Sequence, residues 1–303
     1  MSGPIPINFD PGSLIALNVI MACMMFGVSL TLRVDDFRRV LVAPVAPGVG
    51  MIAQFLLLPS LTCLVTWLLN IDAELALGMI LVAACPGGVF SNVLTWMARG
   101  SVAVSVSMSA ISSLAATVLT PLNFALYGYL NPNTRELLTA ISLDPLNILI
   151  LVVLVLAIPM LLGMWAGSRF PRFAERSERP LRTIAIAVFL GFVGIAFGNN
   201  VELFTSRFHT FFWLVVIHNL LALSLGYVLA RLTRLPDADK RAVTLEIGIQ
   251  NSGLGLVILF TFFPEAGSMM LITAFWGVWH LVSGLTVALF WSRKVIVPAQ
   301  EEA

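Results

Sequence analysis

Runs of apolar residues long enough to cross a bilayer recur along this chain, and they limit its fold more than any other feature does. A crossing of about 30 Å takes about 20 helical residues. Nine such stretches, at roughly 12–32, 42–69, 75–98, 102–130, 146–167, 183–198, 209–231, 242–263 and 269–291, are separated by short polar punctuation. Hydrocarbon offers no partner to a backbone N–H or C=O, so each span must satisfy its own, either as a helix or within a closed barrel. None of the stretches alternates with the period of two that a barrel strand needs. The sequence therefore predicts an all-α polytopic membrane protein with nine transmembrane helices, forming a single integral membrane unit over 1–303.

Composition excludes most other classes. Only 11% of the residues are charged, against about a quarter in a soluble domain, so lipid must cover much of the surface. A formal net charge of +1 leaves no basic face for nucleic acid. Cys23, Cys63 and Cys85 lie in apolar stretches without metal-ligand or CxxC spacing, which reads as free thiols. No feature requires a cofactor or an obligate protein partner.

Arginine and lysine set the direction. Arg33, Arg38, Arg39, Arg99, Arg169, Arg172, Arg176, Arg179, Arg182, Arg231, Arg234, Lys240, Arg241, Arg293 and Lys294 all fall on one side of a nine-span path, 15 of the 17 basic residues. Arg135 and Arg207 are left on the other. The positive-inside rule then predicts an external amino terminus, a cytoplasmic carboxyl terminus and a plasma (inner) membrane location. The arginine-rich loop at 169–182 also holds Glu175 and Glu178 and sits where topology demands charge, so it reads as an orienting loop.

Two spans are interrupted. Ala84-Cys85-Pro86-Gly87-Gly88-Val89-Phe90-Ser91-Asn92 puts a proline and two glycines near mid-membrane in the third, where a continuous helix loses an amide donor and gains freedom to unwind. Glu246-Ile247-Gly248-Ile249-Gln250-Asn251-Ser252-Gly253-Leu254-Gly255 puts a carboxylate, two amides and a hydroxyl at bilayer depth in the eighth. These two spans run in opposite directions, which makes an inverted repeat suggestive of a five-plus-five plan without its first helix. Paired interruptions of this kind point to the midplane site of a secondary transporter.

The strings ACPGGVFSNVLTWMARG, IAQFLLLP and EIGIQNSGLG, with the pair Trp279-His280, resemble the bile acid/sodium symporter family over nearly the whole chain. The resemblance implies a panel part near 12–32 and 146–198 and a core part near 42–130 and 209–291, with the two broken helices crossing in the core. It implies sodium-coupled uptake of an organic anion, with Na+ as coupling ion, by alternating access in the crevice between the parts. One sodium would be held by Ser91, Asn92, Ser105, Ser109 and Glu246. A second would use the side chains of Gln54, Glu246 and Gln250 with the carbonyls of Ile247 and Ile249.

The residues themselves leave some of this open. Glu246 is the only acid well inside a span, and it reads either as a sodium ligand or as a neutral glutamate bonded between helices. Gln54 alone reads equally well as an interhelical hydrogen bond, worth about 0.6 kcal/mol in a membrane. Ser105 and Ser109 belong to a serine face that also suits close helix packing; the family motif, not the spacing, favours ligation. His218 reads as a bond to a neighbouring helix, and His280 either as that or as a substrate contact.

Cargo is expected at the amino ends of the second half-helices, near Val89, Phe90, Asn251 and Ser252, where free amides attract an anion. No Lys or Arg lies inside a span, so a monoanion fits better than a multianion. Many bacterial relatives have threonine where Val89 stands and asparagine where Leu281 stands, and the less polar pocket here favours an anion with an apolar body, bile-acid-like or another carboxylate or sulfonate. The rival reading is a proton-coupled carrier or sodium/proton exchanger in which Glu246 cycles a proton. An enzyme is not expected, because no metal cluster, catalytic carboxylate pair or triad spacing occurs.

Overall fold

The computed structural model describes residues 11–88, 90–140, 145–198 and 201–294. Among these the chain is helical, with no β-strand. We number the helices α1 (Pro11–Ser29), α2 (Val34–Val42), α3 (Val45–Leu68), α4 (Ala73–Ala84), α5 (Phe90–Met97), α6 (Val102–Leu130), α7 (Pro132–Ala140), α8 (Leu146–Arg169), α9 (Pro171–Gly198), α10 (Val201–Leu232), α11 (Asp237–Gly248), α12 (Ser252–Phe262) and α13 (Gly267–Ser292).

The apolar runs become helices, but fewer than the nine expected spans are each long and apolar enough to cross a membrane among the described residues. Five described helices, α3, α6, α8, the 208–232 part of α10, and α13, are long and apolar enough to cross one, and α1 with α2 makes a sixth candidate bent by 67°. The expected spans at 75–98 and 242–263 are each divided, into α4 with α5 and α11 with α12, and the expected span at 183–198 forms the second half of α9. The basic residues that follow the first span lie at and on a short helix. Arg33 caps the start of α2 and Arg38 and Arg39 lie on it, a separate helix that also exposes apolar residues such as Leu41 and Val42, a pattern suited to a membrane surface.

Two helix groups can be distinguished by packing. In one, α1 lies against α8 and α9; in the other, α3, α4, α5, α6 and α10 to α13 enclose the two interrupted spans. The first group is held by a Gly163-x-x-x-Gly167 seam on α8. A Cβ at Gly163 would meet the Phe26 carbonyl and the Ser29 side chain, and one at Gly167 would meet the Leu30 carbonyl. Glycines at this spacing allow two backbones to approach within direct contact, which supplies the packing that water cannot drive inside a membrane.

Both α3 and α8 contain a π-helical turn, Ala53–Leu57 and Val153–Ala157, each followed by a proline at the second position beyond it, Pro59 and Pro159. Proline removes the N–H that would reach back four residues. In α3 the carbonyl so released, that of Phe55, accepts a hydrogen bond from Asn123 Nδ2 on α6 at 2.7 Å. The wide turn is thereby fixed across the bundle, and it carries Gln54 into the interior.

At one end of the second group, Arg241 donates to the carbonyls of Ala98 at 2.6 Å and Trp291 at 3.1 Å, closing the carboxyl ends of α5 and α13. A cation there meets orphan carbonyls and the negative end of each helix dipole. Beside it, a hydrogen bond from Lys240 holds the Asp237 carboxyl below its usual range, while burial pushes that of Asp239 up. At the opposite end Glu74 Oε2 accepts from Ser268 N at 3.1 Å, tying the start of α13 to α4.

Gly163→Leu or Gly167→Leu is expected to separate α1 from α8 and to destabilise the purified protein by about 1–3 kcal/mol, the usual cost of overpacking. Gly191→Ala, which meets nothing within 4 Å, serves as the control and should melt like the unaltered protein in a thermal-aggregation assay.

Candidate ion and anion site

The two interrupted spans meet in antiparallel register. Gly88 N–H donates to the Ile249 carbonyl at 2.5 Å and Asn251 N–H donates to the Pro86 carbonyl at 2.8 Å, on either side of the single bridge Gly87–Gln250. A helix that stops leaves its last carbonyls without partners, and one that starts leaves its first N–H groups free. Here the surrounding helices provide what the pairing does not. Thr120 Oγ1 donates to Ala84 O at 2.7 Å, Gln54 Nε2 to Cys85 O at 2.6 Å, Gln250 Nε2 to Ile247 O at 2.7 Å and Asn219 Nδ2 to Gly248 O at 2.8 Å.

Glycine is required at the centre of this arrangement by close approach. A Cβ at Gly87 would strike the Glu246 carboxylate, and one at Gly88 would lie 2.8 Å from the Gln250 carbonyl. Proline stops α4, and α5 begins two residues after the glycine pair. The crossing thus follows from the Pro-Gly-Gly string, because only residues without side chains let the second segment pass.

Glu246, 1% exposed, collects the hydroxyls. Its Oε2 accepts from Ser91 Oγ at 2.5 Å and Ser105 Oγ at 3.4 Å, and its Oε1 accepts from Ser109 Oγ at 2.8 Å. Ser109 also reaches Asn92 Oδ1 at 3.3 Å. All five residues of the expected first sodium group are thus brought together. Thr95, which the sequence did not mark, stands behind Ser105 at 3.3 Å. These hydroxyls donate to the carboxyl oxygens, and that of Ser105 in turn accepts from Thr95 Oγ1, an oxygen-rich environment of the kind hard cations take.

Gln54 and Gln250 form a second group. Gln54 Nε2 donates to Gln250 Oε1 at 2.7 Å, and Gln250 Nε2 returns a bond to Gln54 Oε1 at 3.1 Å. The orientation of both amides is determined by Cys85 O and Ile247 O, which can only accept. The Ile249 carbonyl accepts from Gly88 and retains a second lone pair. Glu246, expected to serve both groups, makes its described hydrogen bonds with the serine group.

A cavity of about 20 Å³, close to the size of one water, separates the crossing from α1 and α8, and is lined by Gly87, Asn92, Ser109, Ser113 and Asn251 on one side and by Met25, Val28, Ser29, Leu32 and Met160 on the other. Of the expected cargo contacts, Asn251 lies in this lining. Val89 falls outside the described residues. Phe90 packs instead with Leu94, Leu245 and Ile249, and Ser252 is buried against α13, where a Cβ at Gly277 would meet its hydroxyl. His280 is buried on α13 beside Trp276, away from the cavity lining, so the structure does not bring it to the crevice.

His218 does bond neighbouring helices. Its Nδ1 accepts from Trp276 Nε1 at 3.1 Å, which leaves the proton on Nε2 to be donated to Thr62 Oγ1 at 2.9 Å, and Thr62 passes its own to Leu58 O. No group of three or more His, Cys, Asp or Glu suited to a metal occurs among the described residues.

This geometry agrees with comparisons to known proteins. Residues 18–207 match the model of the sodium bile acid symporter family. The chain belongs to that family. It is 30% identical over 279 residues to an uncharacterized sodium-dependent transporter of Bacillus subtilis, covering 92% of this chain and 84% of that protein. It is 31% identical to a probable chloroplastic sodium/metabolite cotransporter of rice, over 92% of this chain and 64% of that protein, and 29% identical to human sodium/bile acid cotransporter 4, over 87% and 60%. The chain therefore spans somewhat under two thirds of the length of these last two. Family membership makes it an integral membrane protein of a sodium-dependent transporter family, whose relatives named here are transporters and not enzymes.

Gln54 bonds both interrupted spans at the crossing, through Cys85 O and Gln250 Oε1. Gln54→Ala removes the described donor to the Cys85 carbonyl and to Gln250 Oε1, at about 1–3 kcal/mol for each buried group. The expected outcome is a lower melting temperature than that of Ser113→Ala, which lines the same cavity without such bonds.

Proposed function

We propose that this chain is a sodium-coupled symporter that takes up an organic monoanion by alternating access, moving a panel (α1, α8, α9) against a core (α3 to α6 and α10 to α13). The observation that carries this reading is the position of Glu246: a buried carboxylate surrounded by three serine hydroxyls at the point where both spans break. One sodium binds at Ser91, Asn92, Ser105, Ser109 and Glu246. A second binds near Gln54 and Gln250 with the carbonyls of Ile247 and Ile249, and Glu246 supplies it with charge at short range.

The broken helices sort charge physically. α4 and α11 end at the crossing with carbonyls that favour cations, while α5 and α12 begin there with N–H groups that favour anions. Anion and cation sites are therefore neighbours on one backbone. A sodium that fixes the unwound segments also sets the amides at the amino end of α12, near Asn251, for the cargo. Phe90, Ser252 and His280 then act by supporting this backbone. The carrier sits in the plasma (inner) membrane with its amino terminus outside and its carboxyl terminus in the cytoplasm.

Glu246→Gln keeps the volume and loses the charge. In proteoliposomes it is expected to abolish uptake driven by a sodium gradient, while detergent-purified protein keeps its oligomeric profile and helix content. Uptake that follows an imposed pH gradient, with no response to sodium, would favour the proton-coupled carrier or exchanger instead.

A further inference from the structure

The cavity at the crossing has two unlike walls. The core wall carries polar groups: Asn92, Ser109, Ser113 and Asn251. The panel wall has Met25, Met160, Val28 and Leu32, and its one hydroxyl, Ser29 Oγ, is already engaged with Met25 O at 2.7 Å. No donor is free on that side for an anion, and what it offers is apolar and, in two of its members, unbranched and polarizable.

Asn251 connects the walls. It is 5% exposed, and its Oδ1 accepts from Leu254 N at 3.1 Å to cap α12. Its Nδ2 is turned to the panel, where it meets Met25 Sδ at 4.0 Å. A thioether is a weak acceptor, so a buried amide donor at an anion-attracting helix end is held only weakly. A carboxylate oxygen is a much stronger partner for that N–H.

We propose that Met25 and Met160 determine cargo specificity. Met25 sulfur stands where a cargo carboxylate oxygen bonds Asn251, and in the loaded crevice both methionine side chains lie along the apolar body of the cargo. This rests on the reading of the site as a carrier of organic monoanions. Methionine suits the task because its three flexible torsions let one wall fit bodies of several shapes, while a polar body would lose its water without gaining a bond. Leu32 lines both this cavity and a larger one of about 500 Å³ beyond it, bounded by the ends of α1, α8 and α9. That volume lies within the range of small-molecule sites.

The test is sodium-driven uptake into proteoliposomes of 2-oxo acids that share one head and lengthen by one methylene: pyruvate, 2-oxobutanoate, 2-oxopentanoate and 2-oxohexanoate. For the unaltered protein KM is expected to fall by about fourfold per added methylene, the value of burying one such group. In Met25→Gln and Met160→Gln that factor should drop below about twofold, with half-saturating sodium unchanged, because the sodium ligands lie on the core. Met25→Leu keeps an apolar wall and should keep the chain-length dependence.

The outcomes separate the two claims. If the unaltered protein takes up no member of the series with sodium, the monoanion reading fails. If it discriminates by chain length and both glutamine variants do so equally, the methionine assignment is overturned and the monoanion reading stands. Loss of chain-length dependence in Met25→Leu as well as Met25→Gln would make the effect one of packing and would also overturn the assignment. Should Met25→Gln not assemble, Met160→Gln carries the comparison alone.

Discussion

Two strands of bare backbone pair at the centre of a helical membrane protein, and most of the interior is organised around that pairing. Each interruption exposes main-chain groups in a region where nothing else would solvate them, and an unsatisfied one costs several kcal/mol in hydrocarbon. The bonds from Gly88 to Ile249 and from Asn251 to Pro86 satisfy part of this demand. The rest falls on Gln54, Thr120, Asn219 and Gln250, which come from helices α3, α6 and α10 and from the crossing itself. Those helices must therefore lie where they do. The π turn in α3, the Asn123 bond that fixes it and the glycines at 87 and 88 are parts of the same solution.

That constraint also generates the chemistry of the proposed carrier. Breaking two antiparallel spans at one depth brings two helix carboxyl ends and two helix amino ends to one point, so partial charges of both signs lie within a few residues of each other. Glu246 puts a carboxyl group on the cation side, close enough to Gly87 that no side chain fits between them. Sodium and cargo then act on one piece of backbone, which is a direct route to coupling. On the proposed reading, the narrow cavity and its apolar wall let one site attract an anion by its head and choose among anions by their bodies.

Much of the core was legible in the sequence because it is written in residues with few alternatives. Pro86, Gly87 and Gly88 in an apolar run specify a break, and Glu246, Gln250 and Asn251 at membrane depth have no inexpensive position other than a polar centre. The five residues assembled at Glu246 followed from the family resemblance, and the structure brings them together. What was not legible depends on partners from distant parts of the chain. The π turn that turns Gln54 inward has no local signature beyond Pro59. Met25 and Met160 look like any other membrane methionines until α1 and α8 face the crossing. The arginines of α2 announced a side of the membrane but not a helix. His218 read as an interhelical bond and joins Trp276 to Thr62, whereas His280, read either as such a bond or as a substrate contact, is buried away from the cavity.

The central claim is that sodium and cargo share the crossing and stabilise one arrangement of it. Linkage then requires each to tighten the other by the same factor. Calorimetric titration of the purified protein with sodium, in the presence and absence of saturating 2-oxohexanoate, and with 2-oxohexanoate at high and zero sodium, measures both factors. The account predicts equal gains, each of about fivefold or more. Sodium affinity that is the same with and without the acid, while the acid still binds, would contradict it.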